Sequence, residues 1–251
     1  FTKEQFKPQE TILPYDVVSL PSAGIYYPNK KKSVKVTYLN ASDENLLAST
    51  AARQNDLVDT LLQRKILDKD ILVKNMAECD KEAILVFLRN TAFGPEYKIK
   101  LKDPTTDKEF ETSLDLSVLK TKETKVELDE KNEFEFNLEK SNKKCKLTFL
   151  TPEQTQQLKE IDEQNKDNIN NPYMTKQLEM LIKEIDGNRD GMTIAQFIQT
   201  MPIMDSQSIR KVIRENTPEI DLTIPVTAPS GTEMNVRVVF GVEFFRPFYG
   251  I

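Results

Sequence analysis

Between Tyr97 and Phe149 apolar residues return at every second position with charged or polar ones in the gaps, a period that a helix with one buried face cannot use. Tyr97, Ile99 and Leu101 alternate with lysines, and Phe110, Leu114, Leu116 and Val118 continue the pattern. Phe134, Phe136 and Leu138 then alternate with Glu133, Glu135 and Asn137, and Cys145, Leu147 and Phe149 with Lys144, Lys146 and Thr148. Half-buried antiparallel strands are the expected result. Asp103-Pro104-Thr105-Thr106-Asp107 supplies a turn, and Glu139 to Lys143 joins the last two strands into a hairpin with an acidic strand facing a basic one.

Helical patterns flank this block. One starts near Asn40 or Ser42, with Asp43 and Glu44 suited to the positive end of its dipole. A second runs from Asp56 to Ile66 with Leu57, Leu61 and Leu62 on one stripe. A third, from Asp80 to Asn90, turns Ile84, Leu85, Phe87 and Leu88 inward and stops at Phe93-Gly94-Pro95. Beyond the strands, Thr151-Pro152-Glu153-Gln154 is a capping-box start for a helix to Gln164, and Asn165 to Asn171 is a polar loop. A helix from Thr175 carries Leu178, Met180, Leu181, Ile182 and Ile185, and Thr193 and Asp205 are expected to cap two short ones. Ile220, Leu222 and Ile224 alternate, Pro229-Ser230-Gly231 turns, and Val236 to Phe245 returns antiparallel. At the other end Pro8, Pro14, Pro21 and Pro28 block helix, predicting an extended arm with a turn at Pro21 to Gly24 and a short strand at Ile25-Tyr26-Tyr27. Ser33 to Leu39 reads as a strand. The fold class is α+β: antiparallel sheet segments with an inserted helical subdomain and extended terminal arms. The expected divisions are 1–39, 40–150, 151–219 and 220–251.

The absence of histidine is the strongest exclusion, because it removes Ser-His-Asp and Cys-His constellations and HExxH zinc sites. The seven glycines form neither GxGxxG nor a P-loop, so no nucleotide and no other cofactor is expected. Cys79 and Cys145 lie far apart without zinc spacing and read as reduced, packed thiols of a cytosolic protein. A net charge of −5 argues against nucleic acid as a partner, with Lys30 to Lys32 and Lys140, Lys143, Lys144 and Lys146 reading as solvated turns or strand edges. No apolar run approaches the ~18 residues of a membrane span. The chain opens on Phe1 and not on methionine, so no targeting signal is read from that end.

Asp186-Gly187-Asn188-Arg189-Asp190-Gly191 matches the opening of a calcium loop, with Asp186, Asn188 and Asp190 as would-be ligands. Its twelfth position is Phe197, which has no carboxylate, so a helix-connecting turn is the preferred reading. The carboxylates of Glu127 to Glu135 read as a strand's solvent face, and Arg89 as a structural partner of a helix end or a carboxylate. The aromatic tail Phe244, Phe245, Arg246, Pro247, Phe248, Tyr249 and Ile251 is costly to leave in water and is expected to dock on a neighbour. Ile25, Tyr26 and Tyr27 form the second expected contact group.

Leu20-Pro21-Ser22-Ala23-Gly24-Ile25-Tyr26-Tyr27-Pro28, Ala41-Ser42-Asp43-Glu44, Ala83 to Tyr97, Ile185-Asp186-Gly187 and Phe244-Phe245-Arg246-Pro247 together resemble baseplate hub proteins of T4-like contractile-tailed bacteriophages. The resemblance implies a non-enzymatic structural component or assembly factor of the tail baseplate. It also implies contacts with other hub, tail tube or wedge subunits in a multi-subunit assembly, put together in the host bacterial cytoplasm. It carries over no catalytic residue. A tail-associated hydrolase using acidic residues and a calcium-binding adaptor are the alternatives.

Overall fold

The computed structural model describes residues 13–27, 29–47 and 54–245. Among them, strands and helices alternate in blocks, giving an α+β fold of small antiparallel sheets. β1 (Tyr15–Ser19) pairs with β2 (Ser33–Thr37), and α1 (Ala41–Leu47), α2 (Gln54–Lys65) and α3 (Glu78–Phe93) follow. β3 (Glu96–Lys102) and β4 (Glu109–Asp115) form a hairpin. β5 (Lys120–Lys122) leads to the hairpin of β6 (Glu133–Leu138) and β7 (Lys143–Thr148). Next come α4 (Pro152–Gln164), α5 (Tyr173–Leu181), β8 (Ile182–Ile185), α6 (Gly191–Thr200) and α7 (Ile203–Asn216). β9 (Glu219–Asp221) pairs back with β5, and β10 (Thr223–Thr227) and β11 (Glu233–Arg237) close the chain as a hairpin.

Two hydrophobic clusters hold these elements. The first gathers Val34 and Val36 of β2, Leu61 and Leu62 of α2, Ile84, Leu85 and Leu88 of α3, Leu114 of β4 and Ile220 to Ile224, with Phe244 and Phe245. The second packs Phe134, Leu138, Cys145 and Leu147 of β6 and β7 against Leu178, Leu181, Ile194, Ile198 and Ile209 of the helices. The β6–β7 hairpin therefore shares its core with the helices after residue 150, and not with α2 and α3.

Several local expectations are met for their stated reasons. Asn40 Oδ1 accepts from the Ser42 amide at 3.0 Å at the start of α1. Thr151 and Gln154 form a reciprocal capping box at α4. Gly94 ends α3 at φ +81°, its amide bonded to the Asn90 carbonyl. Asp103 is buried where the β3–β4 turn meets the β10–β11 turn. Burial pushes its carboxyl up, but hydrogen bonds from Thr105, Thr106 and Ser230 outweigh that and hold it at about 2.

Other expectations are corrected. Ile25 to Tyr27 lie in a run of turns and form no strand. Leu116 to Val118 make one 3-10 turn rather than prolonging β4. Phe87 faces the first cluster as expected but is only half-buried. The helix from Thr175 ends at Leu181, and Ile182 and Ile185 belong to β8, which completes a three-stranded sheet along β7. Asp190, not Thr193, caps α6, accepting from the Thr193 amide at 2.8 Å. Asp205 sits inside the first turn of α7 and points out of the helix, accepting from the Lys140 and Ser141 amides at 3.0 and 2.8 Å. It thereby ties the β6–β7 turn to α7. The final strand stops at Arg237, after which a 3-10 turn at Val242–Phe245 lays its phenylalanines into the first cluster.

Candidate functional site

The segment Leu20 to Tyr27 folds as consecutive turns, with Ala23 N bonded to Leu20 O, Ile25 N to Ser22 O and Tyr27 N to Gly24 O. Gly24 adopts φ +84°, and a Cβ there would stand 2.6 Å from the Lys30 carbonyl carbon and oxygen, so only glycine fits. The turns are fastened to the N-terminus of α3 through one carboxylate. Asp80 is fully buried and accepts from Ser22 N at 2.9 Å, Ser22 Oγ at 2.6 Å and Tyr27 OH at 2.6 Å. The Tyr27 oxygen in turn accepts from Ala77 N at 3.3 Å. A buried carboxylate costs free energy unless its lone pairs are filled, and here three donors fill them.

This anchoring sets the position of the predicted contact residues. Tyr27 is directed inward, while Ile25 and Tyr26 stay half-buried against the second cluster. Between them and the β6–β7 hairpin lies a cleft of about 260 Å³, lined by Ile25, Tyr26, Tyr27, Asn132, Thr148 and Phe149, with Lys131 and Thr151 also on its wall. Asn132 Nδ2 donates to the Ile25 carbonyl at 2.9 Å, and Thr148 Oγ1 donates to the Asn132 carbonyl at 3.1 Å. Tyr26 packs against both clusters, so the cleft lies where the two cores meet.

The chemistry available there is recognition. Burial, then the charges of Cys79 and Asp80, raises the Tyr26 phenol above its ordinary value, and burial followed by Asp80 does the same for Tyr27, so both stay neutral donors. Cys79 is buried beside Asp80, and burial pushes its thiol up, as burial pushes Cys145 up to about 12, so neither is a nucleophile at neutral pH. The apolar wall of Ile25, Tyr26 and Phe149, rimmed by Lys131 and Asn132, suits an aromatic or aliphatic side chain entering from a partner.

The remaining predicted residues are placed elsewhere. Phe244 and Phe245 are buried in the first cluster of their own chain, Phe244 meeting Tyr97, Phe240 and Phe245 edge-on at 5.2, 4.9 and 5.2 Å. At these two positions the aromatic tail is docked on its own chain. Arg246, Pro247, Phe248, Tyr249 and Ile251 lie outside the described residues. Asp186 and Gly187, at φ +48° and +83°, make a two-residue turn after β8, closed by reciprocal bonds between Ile185 and Asn188. Asp186 accepts from Lys143 Nζ and Lys144 N, Asn188 Oδ1 from Asp190 N, and Asp190 from Thr193, so each oxygen set serves the turn. No cluster of three or more acidic or cysteine side chains that could hold a metal occurs among the described residues.

Arg89 closes α3 as a helix-end partner, donating to the Gly94 and Glu96 carbonyls at 3.2 and 3.0 Å, with its guanidinium 4.9 Å from the centre of the Phe93 ring. Glu133 was expected on a solvent face but is buried, because Arg189 grips both of its oxygens at 3.1 and 2.7 Å. Glu82 is the carboxyl that the hydrolase alternative would want. Burial, then Glu78 and Glu219 against the opposing Arg237, pushes it up to about 7, yet it does not line the cleft.

Asp80 and Ser22 escaped the sequence reading. Ser22 sits in a Pro-Ser-Ala-Gly turn and Asp80 in a helix's first turn, which are ordinary positions whose pairing across 58 residues has no local signature.

No curated protein and no solved structure matches the chain. A family model does match, over residues 24–246, starting at the glycine of the anchored turn. The chain belongs to the T4 bacteriophage base plate protein family and is a structural protein of the virion's tail baseplate, where it associates with other baseplate proteins.

Proposed function

We propose that the protein is a non-enzymatic component or assembly factor of the baseplate hub, assembled in the host cytoplasm and acting through contacts with neighbouring tail subunits. The observation that carries this reading is the family match over residues 24–246. The hub assignment draws on the motifs around Leu20 to Pro28 and Ala83 to Tyr97. The cleft supplies a contact site: an apolar slot with a polar rim, fixed by Asp80 before any partner arrives, so that little ordering entropy is lost on docking. The non-enzymatic reading is supported by the absence of histidine and by the neutral tyrosines that line the cleft.

The test is complementation of a phage lacking this gene with the variant Tyr26→Ala. We expect a soluble protein with native circular dichroism that assembles tails at least ten-fold less well. Tails formed at the parental level by a correctly folded variant would refute the assignment of this cleft as a contact. Hydrolysis of peptidoglycan by the purified protein would refute the non-enzymatic reading.

A further inference from the structure

We infer that the open edge of β1 is a strand-addition site for an extended, acidic segment of a partner protein. Leu20 N donates to the Lys32 carbonyl at 2.8 Å, which fixes the ladder phase of the β1–β2 pair. Asp16 and Val18 then exchange hydrogen bonds with β2, while the backbone groups of Tyr15, Val17 and Ser19 face away from it. No described residue pairs with that outer row. The far side of β2 is already used, through the bridge of Val36 to Ile66 and the bond from Leu67 N to Lys35 O. The ribbon can grow only at β1.

The side chains beside this edge point to the occupant. Leu13, Tyr15 and Val17 are exposed, Val17 at 62%, an apolar row that a soluble protein ordinarily covers or blunts. β1 has neither lysine nor bulge to discourage pairing. Pro14 and Pro21 bracket it, so an added strand meets a short slot of fixed register. The charges beside the edge that have no ion-pair partner are mostly basic. Lys30, Lys32 and Lys35 are exposed and form no ion pair among the described residues, with Lys35 Nζ 5.4 Å from the Tyr15 ring centre. Lys31 is spent on Asp68 and Asp70, and the nearby Asp16 accepts from Tyr38 OH. Lys35 stands opposite Val17, on the face that carries Tyr15 and Val17. An incoming strand alternating apolar and acidic residues would set its carboxylates on that face, their stems over Tyr15 and Val17 and their oxygens toward Lys35, and turn its apolar side toward Val18, away from the exposed rim. A second copy of β1 fits less well, since it would bring the same three lysines to the seam over a contact only five residues long.

The proposal rests on the assembly role proposed above and names the chemistry of one contact. Its test reads edge binding and not tail assembly, so the two can fail separately. The full chain is titrated, by fluorescence anisotropy, with an eight-residue peptide alternating valine and glutamate. Controls are the valine–lysine peptide and a valine–glutamate peptide N-methylated on alternate amides. We expect the acidic peptide to bind at least ten-fold tighter than either control. Val17→Pro, which removes one outward amide at a position where an edge strand tolerates proline, should weaken binding at least ten-fold, and Lys35→Glu several-fold. Equal binding of the acidic and basic peptides, or of the N-methylated peptide, would overturn the inference whether or not Val17→Pro folds. A concentration-dependent dimer abolished by Val17→Pro would overturn it in favour of a second copy. Binding at least ten-fold tighter to a chain starting at Leu13 would overturn it in favour of residues 1–12.

Discussion

Asp80 shows how one residue can set the position of a whole segment. Its carboxylate gathers the Ser22 amide, the Ser22 hydroxyl and the Tyr27 phenol, and replacing it with alanine leaves all three buried without an acceptor. Hydrogen bonds to a charged group contribute about 1.5–3 kcal/mol each, and the relief of carboxylate desolvation offsets part of the loss. Asp80→Ala should therefore destabilise the protein by about 3 kcal/mol in urea unfolding; a loss below about 1 kcal/mol would mean the anchor is dispensable. Glu82 makes the opposite kind of prediction. Its pKa is about 7 in the folded protein, against an ordinary value of 4.5. Between those two values the folded chain holds a proton that the unfolded chain releases, so stability falls as pH rises through that window and is flat above it. Glu82→Gln should remove this slope and stabilise the protein at pH 8 relative to its effect at pH 5. The difference is on the order of 1 kcal/mol, once solvent screening of the partly exposed side chain is allowed for. An identical effect at both pH values would contradict the assignment.

At the scale of elements, the strand block was legible because its period of two runs for several residues in each strand and its turns carry proline, aspartate and asparagine. The capping box at Thr151 was legible for a similar reason, since both partners lie within four residues. What could not be read was set by partners distant in sequence. Leu178, Leu181, Ile182 and Ile185 satisfy a helical spacing, yet β7 offered a free edge and the Asp186-Gly187 turn could close against it, so the last four residues became β8. Glu133 was misjudged because local alternation cannot reveal Arg189, which arrives 56 residues later from that same turn. This ion pair yields a prediction at the scale of the sheet. Arg189 also bonds Glu184 at 2.9 Å, so it clamps β6 to the β8 end of the sheet. Arg189→Ala should cost about 2 kcal/mol by leaving a buried carboxylate uncompensated. Arg189→Lys should recover less than half of that, because one ammonium cannot reproduce the two-pronged grip. Full recovery with lysine would show that charge alone matters.

For the molecule as a whole, the tail's aromatic character predicts docking but not what it docks on. Composition reports that Phe244 and Phe245 are costly in water; it does not distinguish a neighbour's groove from the chain's own first cluster. The structure puts both in that cluster, beneath Tyr97 of the β3–β4 hairpin and in contact with Phe240, so the end of the described chain seals the core built by α2, α3 and β9–β10. This changes how truncations must be read. Removing Phe244 onwards would open the core and unfold the protein as well as disrupt any assembly, so loss of tails after such a deletion would not identify a contact. Phe244→Ala isolates the folding part. A fully buried phenylalanine replaced by alanine costs about 3–5 kcal/mol, because the edge-on neighbours cannot collapse into the space. The variant should show that loss by urea unfolding, together with greater exposure of Tyr97 to solvent-accessible quenchers. Parental stability in Phe244→Ala would mean that the aromatic end is held by something other than this core, and would keep Phe244 in the set of partner-binding residues.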